Sequence, residues 1–381
     1  MTHVPKTPEE MTPEWLTEAL HESGALATSA RVTGCEFDEI GIGRGYVGVT
    51  LRVKLDYEPA AAGPASLVAK LPTVLEIAQE SDRALVAFIY STEINFYRKL
   101  AAECPARIPV HYWSGSDPDA GRYCLLIEDM GNLRMVAQVK SCSVEDANLA
   151  VSTLAKIHAR WWQDERLTGQ QWLLNSQGSG QLFQGLYAQG WDHFWAEHGD
   201  VLPPEYEAAG RALSGRFAEL VEEGSRSAWT LVHGDYRLEN FLFDDAHADP
   251  LVVLDWQLIS WGSGLRDLSY FIAQNLTTEL RREHESDLLK RYHETLRAHD
   301  VNGYTFDQLI RDYRIGLLLA TVIPVNGARM LAEQKEQGFD YLDAEQRELI
   351  EGALEGGKAL MREMATRNVS AILDNAAHEL I

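Results

Sequence analysis

The residues best placed for chemistry lie near position 240. An apolar pair, Leu231-Val232, runs into His233-Gly234-Asp235, and Asn240 follows after four intervening residues. A second apolar run, Leu251-Val-Val-Leu254, ends in Asp255, fifteen residues beyond Asn240. Phosphoryl transfer can use this order. One carboxylate, Asp235, accepts the proton of an attacking hydroxyl, while an amide oxygen, Asn240, and a second carboxylate, Asp255, hold Mg²⁺ on nucleotide phosphates. Such a transfer asks for positioning and charge neutralisation more than for covalent chemistry. Arg237, two residues after Asp235, can offset charge on the γ-phosphate. A polar turn between two buried strands would also read His-Gly-Asp, but Asn240 and the strand-borne Asp255 favour the chemical reading. His233, preceded by an apolar strand, reads as a structural hydrogen-bonding residue rather than a base.

A nucleotide must also be gripped, and three candidates lie upstream. The turn Gly41-Ile-Gly43-Arg-Gly45-Tyr-Val-Gly48 can bring backbone N–H groups close to phosphates, because glycine has no Cβ to block the approach. Gly43 and Gly45 are the residues expected there. The turn lies between two predicted strands rather than between a strand and a helix, which argues against a dinucleotide-binding fold and for a flap over phosphates. Lys70 sits between Ala69 and Leu71 in an apolar strand, and the helix that follows offers Glu93 between apolar neighbours. A Lys70–Glu93 pair would position the α- and β-phosphates, with Glu76 and Glu80 as competitors for the partner role. Asp267, at the start of a helix, is read either as a cap or as a hydrogen-bond partner of the His233 loop. His158, on an amphipathic helix, is read as packing.

The elements that must position these residues fall in two sets. A helix start is expected over 8–20, strands over 31–40, 46–57, 66–72 and 122–129, and a long amphipathic helix over 82–103. Helices dominate afterwards: 143–162, 204–223, 265–276, 284–299, 305–335 and 343–374. The catalytic strand–loop–strand is inserted at 229–256. Strands first and helices later predict an α+β architecture, with two lobes and a cleft between them. The division is expected at 1–130, a nucleotide-binding lobe, and 131–381, a catalytic and acceptor-binding lobe.

At this point the residues resemble a known group. His233-Gly-Asp235, Asn240 and Leu254-Asp255-Trp256 resemble the aminoglycoside phosphotransferase/choline kinase superfamily, and within it the ecdysteroid kinase-like proteins. The narrower likeness rests on the turn leading to Arg52-Val53, on Glu93-Ile-Asn-Phe96-Tyr97, on Leu126-Ile-Glu128-Asp129-Met130, and on Asp255-Trp-Gln257 with Gly262-Ser263 and Asp267-Leu-Ser-Tyr270-Phe271. It runs from about 40 to 275. Trp256 departs from it, since phenylalanine is commoner there. The resemblance implies a bilobal protein-kinase-like fold and ATP-dependent phosphorylation of a small-molecule hydroxyl. It implies Asp235 as base, Asn240 and Asp255 as Mg²⁺ ligands, Lys70 as the phosphate lysine, and the backbone at Glu128 and Met130 as the contact for adenine. A protein kinase is disfavoured, because no D-F-G or A-P-E follows Asp255 and only twelve residues separate it from Asp267.

Composition narrows the partners. The 381 residues are 45% hydrophobic and 24% charged, with a formal net charge of −23, which disfavours nucleic acid and anionic membranes. Residues 1–130 hold 11 basic and 19 acidic residues, net −8, leaving −15 for the remainder. So even a spread reads as a solubility feature and does not choose the substrate. Four scattered cysteines, Cys35, Cys104, Cys124 and Cys142, with no CxxC pair, argue against a zinc site or disulfide scaffold. The first ten residues contain no apolar signal core, and the run from 315 to 325 is short and holds Pro324. A cytoplasmic protein is expected. Eight of ten tryptophans fall between 161 and 261. They can line a pocket for an apolar or steroid-like alcohol, stack on a quaternary ammonium, or form core. An aminoglycoside or a hydroxyacyl thioester, found as an acceptor among relatives of this superfamily, stays open, as does a catalytically silent kinase-like binder.

Overall fold

The computed structural model describes residues 3–40, 48–72, 80–175, 178–226, 228–337 and 344–381, with the backbone alone at 80–86, 336–337 and 344–350. The chain divides into two compact units. The first comprises Met1–Glu103, Arg107–Leu133 and Val253–Leu258; the second comprises Cys104–Ala106, Arg134–Val252 and Ile259–Ile381. The first carries a five-stranded sheet and the second is mainly helical, a mixed α+β organisation.

In the first unit Thr12 caps helix α1 (Pro13–Glu22) by accepting the Trp15 amide, with proline in the first turn. Strands β1 (Arg31–Ile40), β2 (Gly48–Glu58) and β3 (Ser66–Pro72) form an antiparallel run. Helix α2 (Glu80–Lys99) follows, then β4 (His111–Asp117) and β5 (Arg122–Glu128), in the order β1-β2-β3-β5-β4. The pleat sorts the side chains of β2. Leu51, Val53 and Leu55 are buried in one core with Trp15, Leu16, Ala19 and Leu20 of α1. Thr50, Arg52 and Lys54 lie on the opposite face and pair with Lys70, Val68 and Ser66. Lys70, Arg52 and Ser66 therefore share a face. Strand β4 is absent from the sequence reading. Its His-Tyr-Trp-Ser-Gly-Ser-Asp run has no clean alternation, and it pairs with β5 through an irregular register.

The second unit begins with α3 (Val144–Arg160), capped by Ser143, and the two-residue strand β6 (Leu174–Asn175). Helices α4 (Gly180–His198) and α5 (Tyr206–Gly224) lead to β7 (Trp229–Val232), β8 (Phe241–Phe243), β9 (Leu251–Val253) and β10 (Ser260–Ser263). The remainder is α6 (Leu265–Asn275), α7 (Thr278–Ala298), α8 (Phe306–Ala320), α9 (Val322–Gln337) and α10 (Ala344–Asp374).

Two differences from the sequence reading have local causes. The single helix expected over 305–335 is broken at Thr321. Pro324 has no N–H, and its ring crowds the carbonyl four residues back, at Ala320. Residues 306–335 have the length and apolar composition of a membrane-crossing helix, but 61% of their most apolar window is buried inside the protein. Helix α4 was not foreseen. Its three glycines weaken the helical pattern, and one of them is structural: a Cβ on Gly190 would lie 2.5 Å from the Val325 carbonyl oxygen of α9.

Candidate active site

The second unit presents Asp235. Strand β7 ends at Val232, and Gly234 turns the chain at φ 84°, a region natural to glycine. The turn is pinned from α6: Asp267 accepts the His233 amide at 2.6 Å and the Gly234 amide at 2.9 Å. Asp267 is fully buried, and it does not cap its own helix. Burial pushes its carboxyl up, but the His158 hydrogen bond, the two histidine rings and the backbone amide outweigh this and hold it below the usual carboxylate range. His158 Nε2 lies 3.3 Å from Asp267 Oδ2, and its Nδ1 lies 2.7 Å from the Tyr292 hydroxyl. The packing role expected for His158 is thus only part of the picture, since the ring also anchors Asp267. An apolar helix face gave no sign of this.

Three donors hold the Asp235 carboxylate. Asn240 Nδ2 donates to Oδ2 at 2.9 Å and to the Asp235 carbonyl at 2.8 Å. Arg237 Nε donates to the same Oδ2 at 3.1 Å, and Tyr270 OH lies 3.3 Å from Oδ1. Burial first, then the charge of Asp235, push the Tyr270 phenol up, so it stays a donor. Residues Leu238–Asn240 form a single 3₁₀ turn that brings Asn240 back over Asp235. Both partners of the Asn240 nitrogen are acceptors, so its oxygen is the atom suited to a cation. The Arg237 guanidinium also meets Glu239 at 2.9 Å and is thereby committed to two carboxylates. Tyr270 was not singled out from the sequence. It stands three residues after Asp267 on α6, a spacing that puts both on one helical face.

The first unit presents Lys70. Its Nζ donates to Glu93 Oε1 at 2.7 Å, to Glu93 Oε2 at 3.0 Å and to Asp255 Oδ1 at 3.0 Å. The pairing expected between strand lysine and helix glutamate is formed, and Asp255 joins it. Burial alone would lower the ammonium, but Asp255 and Glu93 outweigh it and raise its proton affinity, so Lys70 is charged. Asp255 adopts φ 63° and accepts from Gln257 Nε2 at 3.1 Å. Beside it Trp256 stacks on Phe96 of α2, 4.0 Å between centroids and 4° from parallel. The tryptophan that replaces the commoner phenylalanine thus packs Asp255's segment against the helix that carries Glu93.

At the end of β5, Glu128 donates its amide to the Val110 carbonyl at 2.8 Å, and the Met130 carbonyl accepts from Leu133 at 3.2 Å. Between them Asp129 binds Arg52 at 2.7 and 3.2 Å and the Ser66 hydroxyl at 2.7 Å. A cavity of about 750 Å³ opens beside these groups. Gly43, Gly45 and Glu76 lie outside the described residues. Gly48, the last glycine of that turn, is described, and a Cβ there would meet the Tyr90 hydroxyl and come within 2.6 Å of the Leu71 carbonyl. Close packing explains that glycine. Among the described residues no cluster of three or more His, Cys, Asp or Glu side chains could hold a metal. Asn240 in the second unit and Asp255 in the first each carry a hard oxygen of the kind Mg²⁺ takes.

Residues 170–301 match the model of the ecdysteroid kinase-like family. That segment contains Asp235, Asn240, Asp255 and Asp267. The fold is similar to that of a protein classed as an aminoglycoside phosphotransferase from Ralstonia eutropha, with 15% identity, coverage of 94% of this chain and 97% of that one, and a TM-score of 0.50. At such identity the likeness is one of fold, and the fold is kinase-like. Two sequence relatives match shorter stretches. Acyl-CoA dehydrogenase family member 11 of Gallus gallus is 31% identical over 124 residues, 32% of this chain and 14% of that protein. Acyl-CoA dehydrogenase family member 10 of Mus musculus is 49% identical over 41 residues, 11% of this chain and 4% of that protein. The chain thus spans only a small part of either relative. Over residues 170–301 the chain is similar to the ecdysteroid kinase-like family, and over most of its length it shares a kinase-like fold.

Proposed function

We propose that the protein transfers the γ-phosphoryl group of ATP to a hydroxyl of a small apolar alcohol. The observation that carries this reading is the Asp235 carboxylate, oriented by Asn240, Arg237 and Tyr270 on a turn that Asp267 fixes. Asp235 takes the proton of the alcohol. A bond forms from that oxygen to the γ-phosphorus, the bond to the β,γ-bridging oxygen breaks, and ADP leaves. The first unit supplies the nucleotide's partners. Lys70 meets the α- and β-phosphates, held for that task by Glu93 and Asp255. The Glu128 carbonyl and the Met130 amide meet the base at the 750 Å³ cavity, a size suited to a nucleotide-like ligand. Lys70 and Ser66, on one face of β3, are four residues apart, about 13 Å at strand rise, a span that a nucleoside triphosphate can bridge. Mg²⁺, for which Asn240 and Asp255 each offer a hard oxygen, would neutralise phosphate charge.

The acceptor is proposed as apolar because of what surrounds Tyr270. Its ring packs with the buried Ala320 and Met364, and the half-buried Ile323, Leu360 and Met361 lie against that cluster and are the side chains left to meet an acceptor. Methionines adapt to irregular apolar ligands. The tryptophans contribute less. Trp161, Trp191 and Trp256 are buried, and Trp191 is locked among Tyr187, Phe194, Trp195 and Tyr206. A hydroxyacyl thioester is the second reading, supported by the likeness to two acyl-CoA dehydrogenase family members. Mass spectrometry of apolar alcohols, amino alcohols and hydroxyacyl thioesters incubated with MgATP tests both. The expected product is one apolar alcohol heavier by about 80 Da, a single phosphoryl group, made by wild type and not by Asp235→Ala. A phosphorylated thioester would replace the apolar acceptor, and ATP turnover unchanged in Asp235→Ala would remove the base.

A further inference from the structure

The second unit contains a separate cavity of about 270 Å³ among α4, α9 and α10. Its wall includes His198, which is 1% exposed and whose two ring nitrogens have no hydrogen-bond partner among the described residues. An unpaired buried polar group is costly and is normally satisfied by protein, water or ligand. The rest of the wall is apolar, from Leu331 and three alanines, and Lys335 and Lys358 stand with His193 and Glu197 around it. None of these residues has a part in the transfer chemistry proposed above.

We propose that this cavity is a second binding site, for a small organic carboxylate with a short apolar tail. The carboxylate accepts from a His198 ring N–H and from the Lys335 and Lys358 ammonium groups, and the tail lies against Leu331 and the alanines. Size points to a small ligand, since the volume is below the range of about 300–1,000 Å³ that holds drug-sized molecules. Charge points to a monoanion. Burial holds the imidazole below the ordinary histidine range, so the ring is neutral and offers one N–H. The charged groups nearby are Glu197, Asp200, Arg362 and Glu355; Arg362 is already bound to Asp200 at 2.6 Å and to the Glu197 carbonyl at 3.2 Å, and Lys358 Nζ meets Glu355 at 3.3 Å. A phosphate dianion would face Glu197 with few fixed donors. His198 is itself positioned: Phe194, one turn earlier, meets its ring edge-on at 5.3 Å.

The test is calorimetric titration of the full chain with hexanoate and with uncharged hexanamide. Saturable binding of one hexanoate is expected, weakened at least about tenfold in His198→Gln and in the rim pair Lys335→Met/Lys358→Met, with hexanamide weaker by a similar factor. Lys335 is exposed and Lys358 pairs with the exposed Glu355, so the double variant serves even where His198→Gln unfolds. Absence of saturable hexanoate binding to wild type would overturn the proposal, leaving a water-filled void. Equal binding to wild type and to the rim variant would overturn it by placing the ligand elsewhere, and hexanamide binding as tightly as hexanoate would overturn the carboxylate assignment. None of these outcomes depends on phosphoryl transfer.

Discussion

Asp235 and Asp267 are both carboxylates, and their surroundings give them different tasks. Asp235 shares its oxygens among side chains at the end of a turn, where a proton can be taken. Asp267 is buried under two backbone amides and a histidine, where a proton is kept away. Charge-assisted bonds of this kind contribute about 1.5–3 kcal/mol each, so Asp267→Ala is expected to destabilise the second unit by roughly 3 kcal/mol or more, read by urea unfolding. The pH dependence follows from the sign of the shift. The folded carboxyl lies below its unfolded value of about 3.9, so its contribution is complete above that value and is lost as pH falls through the lower, folded one. The stability gap between wild type and Asp267→Asn should therefore be constant from pH 7 to pH 5 and shrink only below about pH 4; a gap that closes near neutrality would contradict this. The contact of Asn240 with Asp235 was legible because one short turn fixes it, and that of Lys70 with Glu93 because each is a charge set among apolar neighbours. His158 was not, because its contact to Asp267 spans 109 positions and its own helix looks like any buried face.

At the scale of elements, the reading succeeded where periodicity was clean and failed where geometry overrode it. β2 alternates as expected, β3 forms where a strand ended by proline was expected, and α6 starts at Leu265 as expected. α7 begins at Thr278, six residues before the expected start, because its first turns carry Glu279, Arg281, Arg282 and Glu283 rather than an apolar stripe. Arg281 is nonetheless buried, paired with Glu285 and Asp374, a long-range rescue that no local pattern announces. The close approach of α4 to α9 gives a test. Gly190→Ala places a methyl against the Val325 carbonyl oxygen, and overpacking of this kind costs about 1–3 kcal/mol. Gly185→Ala on the same helix meets no atom within 4 Å and should be neutral or slightly stabilising. Thermal melts of the two variants that came out equal would contradict the close packing.

For the whole molecule, the two compact units suggest that ligands act on them unequally. If the first unit carries the nucleotide partners, MgATP at a hundredfold excess over Kd should stabilise it by about 2.7 kcal/mol through mass action. Calorimetric melts should show that gain in wild type and its loss in Lys70→Met. The net charge of −23 bears on solubility and not on the choice of acceptor, as its even spread suggested. Sequence carried the fold class because strands precede helices along the chain. It did not carry the assignment of Val253–Leu258 to the first unit, a return of the chain that only tertiary contacts reveal.

The central claim is that Asp235 is the base of an ATP-dependent transfer to an alcohol, and it is tested most directly by acceptor-dependent ADP formation in Asp235→Asn against wild type, with MgATP affinity measured on the same samples. Loss of turnover by about 10²–10⁴-fold with nucleotide affinity unchanged is the predicted result. Turnover at the wild-type rate, or a loss that follows a fall in ATP affinity, would contradict it.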